Sequence, residues 1–295
     1  MRVIVTGGAG FIGSSFVHLL DNMGIDYLVI DKLTYAGDAE NLPNFDKLLV
    51  KDICDVTASD LGEYDYVVNF AAESHVDNSI DDGDPFVYSN IIGTYRMIEL
   101  ARKNKNLKKF IQISTDEVYG DLVDLKIKIA KETTPVQPSS YYSASKTAAD
   151  HLVAACGRTY NLPFVITRTC NNFGIRQNNE KFIPKILKNI KEGIEVPVYG
   201  DGQQSREWIW VEDNVEMIYD LMIDEMAQGV YNIGSDEAHK NIDIINYIGK
   251  ELKKDIKFKY VEDRKGHDKL YRITSVRGVF PTITKTLFEY LKEQI

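Results

Sequence analysis

A phenol and an ammonium group lie four residues apart in the segment from Tyr142 to Lys146. At this spacing the two side chains share one face of a helix. A tyrosine works as a base near neutral pH only if positive charge lowers its pKa from about 10, and a nearby lysine provides such charge. A chain with 17 tyrosines also produces this spacing by chance. The rest of the sequence therefore decides its meaning.

Two neighbouring carboxyl groups follow a short apolar run in the segment Ser114-Thr115-Asp116-Glu117. Ligands of open α/β sheets bind beyond the carboxyl ends of the strands, so we expect Thr115, Asp116 and Glu117 to point into a cleft. Such a pair can act as a general acid and a general base. Acidic residues also commonly begin helices, and on the residues alone a helix-capping pair is an equally good interpretation.

A glycine-rich segment directly follows the first apolar run and reads GGAGFIG from Gly7 to Gly13. Glycines in this pattern allow a tight turn, a close approach of backbone N–H groups to a pyrophosphate, and close packing of the next helix. Asp31 follows 18 residues after Gly13, near the spacing at which a carboxylate binds the adenosine ribose. Because that carboxylate would repel a 2′-phosphate, we predict NAD as the cofactor. A helix-capping or solvated aspartate is the alternative interpretation.

The reactive residues need regular elements that bring them together. Short apolar runs rich in β-branched and aromatic residues predict buried strands at Val3–Val5, Tyr27–Ile30, Leu48–Val50, Tyr66–Phe70, Phe110–Ile113 and Phe164–Thr167. Helical periodicity occupies several of the intervals, including residues 86–103 and 142–160. Parallel strands require such crossovers, so the predicted fold is α/β, with a Rossmann-like, doubly wound parallel sheet.

The sequence pattern changes near residue 170. Polar, turn-rich stretches and shorter helices near 182–192, 211–225 and 241–253 predict a smaller C-terminal α/β lobe. We expect residues 1–170 to form the dinucleotide-binding domain and residues 171–295 the substrate lobe, with the chain near 207–235 returning to the first domain. No flexible linker separates the two parts, so we expect them to share a cleft.

The composition excludes several classes of protein. The 295 residues carry a net charge of −9, which gives no global electrostatic reason to bind nucleic acid. We find no apolar run of membrane-spanning length and no signal-peptide core. The three cysteines have neither metal-ligand nor disulfide spacing. We therefore expect a cytoplasmic protein with reduced thiols, no metal site, and neither a nucleic acid nor a membrane as a partner.

Longer blocks of sequence carry a family resemblance. From residue 7 to residue 268 the chain contains, in order, GGAGFIG, DKLTYAG, KDICD, AAESHVDNSI, STDEVYGD, YSASK, NNFG, EKFIP, GDGQQSREWIWVED, YNIG and DRKGHD. In these blocks the chain resembles the extended short-chain dehydrogenase/reductase family and, within it, the nucleotide-sugar 4,6-dehydratases, which act on dTDP-glucose or a close relative. STDEVYGD is the most specific block, because related epimerases are less similar at the Asp-Glu pair.

The resemblance implies a cycle of oxidation, elimination and reduction on a sugar. Tyr142 would take the C4 hydroxyl proton while NAD⁺ takes the hydride, with Lys146 and Thr115 orienting the reacting groups. Glu117 would then remove the acidified C5 proton, and Asp116 would protonate the departing C6 hydroxyl. Hydride return to C6 would regenerate the cofactor in each turnover.

The resemblance also implies two sets of contact residues and a mode of assembly. The predicted NAD contacts are Gly7, Gly10, Phe11, Ile12, Gly13, Asp31, Lys32, Leu33, Thr34, Asp52, Ile53, Phe70, Ala71, Ala72, Glu73, Ser74, Ser89, Tyr142, Lys146 and Asn172. The predicted nucleotide-sugar contacts are Ser74, Thr115, Asn171, Lys181, Phe182, Pro197, Val198, Tyr199, Arg206, Asn241, Asp263, Arg264, Lys265, Gly266 and His267. Family members pair through helices such as those near 86–103 and 142–160, so a homodimer is expected.

The chain departs from the family pattern on the substrate side. Lys265 and Ile175 stand where the family commonly has proline, and the segments 121–138 and 275–295 are short. These differences leave the choice between thymine and uracil nucleotides open. Two other functions also stay open: an NAD-dependent nucleotide-sugar 4-epimerase, and a sensor that binds NAD or a nucleotide sugar without turnover.

Overall fold

A computed structural model describes all 295 residues of the chain. The strands are β1 (Arg2–Thr6), β2 (Asp26–Asp31), β3 (Leu48–Val50), β4 (Tyr66–Asn69), β5 (Lys109–Thr115), β6 (Phe164–Thr169), β7 (Asn171–Phe173), β8 (Val196–Tyr199), β9 (Ser205–Trp210), β10 (Gly229–Ile233), β11 (Ala238–Lys240) and β12 (Phe258–Val261). The helices are α1 (Phe11–Asn22), α2 (Ala58–Leu61), α3 (Val76–Asp81), α4 (Asp84–Phe86), α5 (Thr94–Ala101), α6 (Tyr141–Tyr160), α7 (Phe182–Glu192), α8 (Val211–Ile223), α9 (Asn241–Leu252) and α10 (Leu287–Gln294). None of the helices combines the length and the apolar character needed to cross a membrane.

A seven-stranded sheet forms the centre of the molecule, and its strand order is β10-β6-β5-β4-β1-β2-β3. All of its neighbouring strands run parallel. The predicted α/β class and the doubly wound parallel sheet are therefore confirmed. The order reverses between β1 and β4, and this reversal opens the crevice in which open α/β sheets bind ligands.

The large sheet is covered on both faces, which explains why its strands are almost continuously apolar. Along β1, Ile4 belongs to one buried apolar cluster, whereas Val3 and Val5 belong to the other. Helices α1 and α8 pack together on the face of Val3 and Val5, and helices α5 and α6 pack together on the opposite face. These layers fix the ends of β1, β4 and β5, where the candidate reactive groups lie.

Two smaller sheets lie in the C-terminal part of the chain. One contains β11, β9 and β7, and the other pairs β12 with β8 in parallel. A third apolar cluster joins these strands to α7, α9 and α10, and it includes Phe173, Trp208 and Tyr290. The chain enters this region at β7, returns to the large sheet at β10, and leaves it again at β11.

The helix expected near residues 86–103 differs from a regular α-helix. Its middle section, Val87–Gly93, has wider π-helical turns between α4 and α5. A Cβ atom at Gly93 would lie 2.4 Å from Ile53 Cδ1, so the backbone packs there without a side chain. The wider turn also buries Asn90, whose side chain accepts from the Glu73 N–H and donates to the Ser145 hydroxyl. Apolar periodicity carries no signal for this local widening.

Candidate active site

The glycine-rich loop meets the end of β4 at the strand-order reversal. Gly7 has a φ of +65°, and a Cβ atom there would lie 2.5 Å from the backbone nitrogen of Ala71. A Cβ atom at Gly13 would lie 2.2 Å from the Gly7 carbonyl oxygen, so this glycine lets α1 begin tightly against the loop. Gly10 precedes α1 with an ordinary φ of −78° and lines the cleft. The backbone at the start of α1 therefore lies open to a phosphate-bearing ligand.

Asp31 ends β2 beside this loop and is buried. Its carboxylate accepts hydrogen bonds from the N–H groups of Ala9 at 3.0 Å and Leu33 at 2.9 Å. Burial raises the pKa of Asp31 although both hydrogen bonds favour the charged form. The carboxyl group thus orders the phosphate loop and also lines the cleft, where a ribose hydroxyl can reach it.

Lys32 does not leave a free cation next to Asp31. Its ammonium group donates to the Ser89 hydroxyl at 3.1 Å and lies 3.4 Å from Asp52 and 3.7 Å from Glu73. Burial opposes ionisation of Asp52, but the Cys54 backbone N–H and the Lys32 ammonium lower its pKa overall. Two carboxylates thus surround the Lys32 ammonium, which could otherwise accept a 2′-phosphate. This part of the cleft fits NAD better than NADP.

Tyr142 and Lys146 lie on the first turns of α6, which the Ser140 hydroxyl caps by accepting from the Ser143 N–H. The Tyr142 ring packs edge-on against Phe86. The Lys146 ammonium donates to the Ile113 carbonyl at 2.5 Å, and burial lowers its pKa to about 8. Burial and the Glu117 charge raise the pKa of Tyr142, so this phenol is protonated before the cofactor and substrate bind.

Thr115, Asp116 and Glu117 lie where β5 turns into a short 3₁₀ helix, Asp116–Tyr119. The Thr115 hydroxyl accepts from the Glu117 N–H and donates to an Asp116 carboxylate oxygen, both at 3.3 Å. Burial raises the pKa of both carboxyl groups. Glu117 lines the cleft, whereas Asp116 is 2% exposed and lies behind it. The expectation that both carboxylates reach the cleft is therefore met by Glu117 alone, because consecutive residues in this turn point in different directions.

Three cationic side chains border the cleft opposite the glycine loop. Lys181 donates to the Ser74 carbonyl at 3.0 Å, and Arg264 forms an ion pair with Asp77 at 3.1 Å. The buried Arg206 guanidinium stacks over Tyr271 and donates to the Asp268 carbonyl. Burial raises the pKa of Glu117, and the positive charges of all three side chains limit that rise. Their positive charge suits a diphosphate.

The cleft has a volume of about 460 Å³ and brings most of the predicted contact residues together. Those from both predicted sets that line it are Gly7, Gly10, Phe11, Ile12, Gly13, Asp31, Lys32, Thr34, Asp52, Ile53, Phe70, Ala71, Ala72, Glu73, Ser74, Ser89, Thr115, Tyr142, Lys146, Asn171, Asn172, Lys181, Phe182, Pro197, Tyr199, Arg206, Asn241, Arg264 and His267. Predicted residues outside the lining are Leu33, Asp116, Val198, Asp263, Lys265 and Gly266.

The outlying residues have specific structural reasons. Leu33 packs against the apolar cluster under the sheet, and Val198 alternates with Pro197 and Tyr199 along β8 so that it faces the lobe core. Asp263 lies behind His267, and its carboxylate is 2.5 Å from the imidazole Nδ1. Lys265 and Gly266 are exposed in the loop between these two residues.

Several residues of the cleft escaped the sequence reasoning. Trp208 lines it and stacks on Phe182, and the indole N–H is buried without a partner. Gln177 and Asn178 also line it, and the Asn178 amide donates to the Tyr35 carbonyl across the cleft. A tryptophan at a strand position indicates a buried core residue, and a polar run indicates an ordinary loop. Local sequence therefore contained no signal that distinguishes these residues.

No group of three or more His, Cys, Asp or Glu side chains is arranged to hold a metal ion. All three cysteines are free thiols. Hydroxyl, carboxyl, ammonium, guanidinium and imidazole groups and the Cys170 thiol line the cleft, whose space suits a dinucleotide and a second phosphate-bearing ligand.

Comparison with known proteins agrees with this geometry. Residues 3–234 match the family described as "NAD dependent epimerase/dehydratase family". The chain is 44% identical over 290 residues to the low-salt glycan biosynthesis protein Agl12 of Haloferax volcanii, covering 94% of this chain and 91% of that protein. It is 40% identical to dTDP-glucose 4,6-dehydratase 1 of Escherichia coli K12, covering 92% and 85% of the two chains.

A solved structure shows the same fold. The crystal structure of a dTDP-glucose 4,6-dehydratase from Streptomyces venezuelae with NAD bound matches with a TM-score of 0.92 at 35% identity, covering 100% of this chain and 95% of that one. This chain belongs to the NAD dependent epimerase/dehydratase family.

Proposed function

We propose that the protein is a nucleotide-sugar 4,6-dehydratase that uses NAD to convert dTDP-glucose into its 4-keto-6-deoxy derivative. The observation that carries this proposal is the Glu117 carboxyl group, which lines the cleft beside Tyr142 and Lys146. A 4-epimerase needs the tyrosine and the lysine, whereas an elimination also needs a base for C5 and an acid for C6. The dTDP-glucose 4,6-dehydratases among the relatives favour the thymidine nucleotide.

The first half of the reaction uses the residues of α6 and the end of β5. NAD⁺, when bound, accepts a hydride from C4 of the sugar. Tyr142 takes the C4 hydroxyl proton, and the Lys146 ammonium stabilises the phenolate by its positive charge. The Thr115 hydroxyl, which adjoins the phenol, offsets part of the rise in the pKa of Tyr142 and orients the substrate hydroxyl.

The second half uses the carboxyl pair. The new C4 ketone acidifies the C5 proton, and Glu117 removes it. Asp116 lies beside Thr115, and burial together with the neighbouring Glu117 and Glu207 charges raises its pKa well above the ordinary value, which favours the protonated form. A protonated carboxyl group can give its proton to the departing C6 hydroxyl. Because Asp116 lies behind the cleft lining, this transfer requires the side chain to rotate or a water molecule to relay the proton.

The product of the reaction distinguishes the candidate functions. Purified protein is incubated with dTDP-glucose and, separately, with UDP-glucose, and the products are weighed by mass spectrometry. We expect dTDP-glucose to lose the mass of one water with no net change in NAD. A new stereoisomer of unchanged mass would instead establish an epimerase, and binding without any product would establish a sensor.

The variant Glu117→Gln tests the role of the carboxyl group itself. The amide keeps the shape of the side chain but cannot accept the C5 proton, so oxidation at C4 proceeds and elimination stops. We expect reduced cofactor to accumulate on the protein, visible by its near-ultraviolet absorbance, with at least a hundredfold less product. Unchanged turnover of this variant would contradict the assignment of Glu117 as the base.

We also propose that two copies of the chain associate through the face formed by the π-helical segment and the starts of α5 and α6. Tyr88, Tyr95 and Tyr141 are 66%, 44% and 65% exposed there, so this face exposes more aromatic side chains than the surface of a monomer usually does. Sedimentation velocity would show a dimer, and replacing Tyr88 and Tyr95 by serine would shift it toward monomer.

The three free thiols are compatible with a reducing, cytoplasmic location.

A further inference from the structure

We propose that Asp150 is a positioning residue of this site, whose buried carboxylate keeps the Lys146 ammonium charged during the reaction. Asp150 contacts neither ligand; it acts through Lys146. The inference deepens the proposed function and rests on the role given there to Lys146.

Both residues occupy the buried face of α6. Asp150 follows Lys146 by one helical turn, so the two side chains lie on the same side of the helix. Lys146 is 4% exposed and Asp150 is 2% exposed. The only protein acceptor of the Lys146 ammonium is the neutral Ile113 carbonyl, and no carboxylate lies within 4.0 Å of it. The ammonium therefore depends on a charge at longer range.

Asp150 is arranged to supply that charge. One carboxylate oxygen accepts from Arg168 Nε at 3.0 Å, and the other is buried without a hydrogen-bond partner. Burial raises the pKa of Asp150, and the Arg168 guanidinium, which lies on β6 in register with Ser114 on β5, acts against that rise and favours the charged carboxylate. Because Arg168 binds only one oxygen of the Asp150 carboxylate, the negative charge of the other oxygen can act on the Lys146 ammonium.

The remaining charged groups around Lys146 do not replace Asp150. Burial raises the pKa of Tyr142 and of Asp116, which favours their uncharged forms, and Glu117 faces the three cations of the substrate side. Arg168 adds a second positive charge behind the helix. Burial lowers the pKa of Lys146 to about 8, and the Asp150 charge opposes that fall. Without it, Lys146 and Arg168 are two buried cations with no anion between them, and Lys146 loses its proton nearer to neutral pH.

The test is the variant Asp150→Asn, followed over a range of roughly pH 6 to 9. Two quantities are measured: kcat for dTDP-glucose, and the dissociation constant for NAD by quenching of tryptophan fluorescence. We expect near-normal values at the acidic end, and an alkaline loss of both kcat and NAD binding that begins at least one pH unit lower than in the wild type. One unit corresponds to a tenfold effect at a fixed alkaline pH. Asp150→Glu should restore the wild-type profile.

A control separates this role from simple support of the fold. Tyr119→Phe disturbs the far end of the same network, because the Tyr119 ring stacks on Arg168 and its hydroxyl donates to Asn232 at 2.7 Å. This variant should lower thermal stability and leave both pH profiles unchanged. If Asp150→Asn does not fold, the double variant Asp150→Asn/Arg168→Met removes the pair together and must still show a shift in the same direction, though a smaller one, because the Asp150 charge is the one that acts on Lys146.

The outcomes are distinct. Equal loss at every pH in Asp150→Asn, or a profile that matches the wild type, would overturn the inference. Absence of product from the wild-type protein would overturn the proposed function instead, and the NAD measurement would still decide the role of Asp150.

Discussion

Alanine substitutions at two glycines of the same loop should change two different properties of the protein, ligand binding in one case and stability in the other. At Gly10 an added methyl group would meet nothing closer than the Gly7 carbonyl oxygen at 3.4 Å, and φ is ordinary. At Gly13 the same group would lie 2.2 Å from that oxygen and 2.9 Å from the Gly8 Cα atom. The missing side chain at Gly10 therefore leaves space for the ligand, whereas the missing side chain at Gly13 lets the backbone of the loop pack closely against α1.

The two substitutions differ in the free energy that they change. Overpacking a well-packed site by one methyl group costs about 1–3 kcal/mol, and the Gly13 contact involves backbone atoms that cannot rotate away. In a chain of this size a loss of 1 kcal/mol lowers Tm by about 2 °C, so Gly13→Ala should melt about 2–6 °C lower. Gly10→Ala should melt as the wild type does, but its methyl group blocks the approach of the pyrophosphate and should weaken NAD binding at least tenfold.

Thermal denaturation without ligand measures the first effect, and fluorescence titration with NAD measures the second. Gly24→Ala is unsuitable as a control because its φ is +67°, although its surroundings are empty. Equal destabilisation of Gly10→Ala and Gly13→Ala, or wild-type NAD affinity in Gly10→Ala, would refute the assignment of Gly10 to ligand binding and of Gly13 to backbone packing.

Three further predictions follow from single side chains. Tyr142→Phe should lower kcat by about 10²–10⁴-fold in the product assay, with NAD affinity preserved, because only the proton acceptor is lost. Lys109→Met should destabilise the fold by about 1–3 kcal/mol in urea titrations, because the buried ammonium donates to the Leu221 and Asp224 carbonyls at the end of α8. The stability of the wild type relative to Lys146→Met should rise between about pH 8 and 10, since the pKa of Lys146 is about 8 when folded but about 10.4 when unfolded, so the unfolded chain holds the extra proton. A flat difference across that range would contradict the lowered pKa.

The architecture was predictable because its signals are local and periodic. All six predicted strands are present, with β4 ending one residue earlier at Asn69, and the predicted helix at 142–160 corresponds to α6. The glycine pattern likewise identified the loop at the strand-order reversal, since each glycine answers a steric demand that the structure shows directly.

Features that depend on long-range packing were not predictable. The different directions of Asp116 and Glu117 follow from a 3₁₀ turn whose start is set by the Thr115 hydroxyl. The π-helical turn arises where Gly93 meets Ile53, a residue 40 positions earlier in the chain. Trp208 reaches the cleft only because β9 lies between β7 and β11. None of these contacts leaves a periodic trace in its own segment.

The return of the chain to the large sheet at β10 has a consequence for engineering and for natural recombination. The smaller lobe is made from two separate excursions, one from β7 to β9 and one from β11 to the C-terminus. A single crossover between two relatives near residue 170 would exchange the part of the cleft lining that the smaller lobe contributes, together with an edge strand and the helix α8 that packs on α1. A graft of the lobe alone therefore requires three joints, and substrate preference in this architecture changes more readily by point substitutions than by exchange of modules.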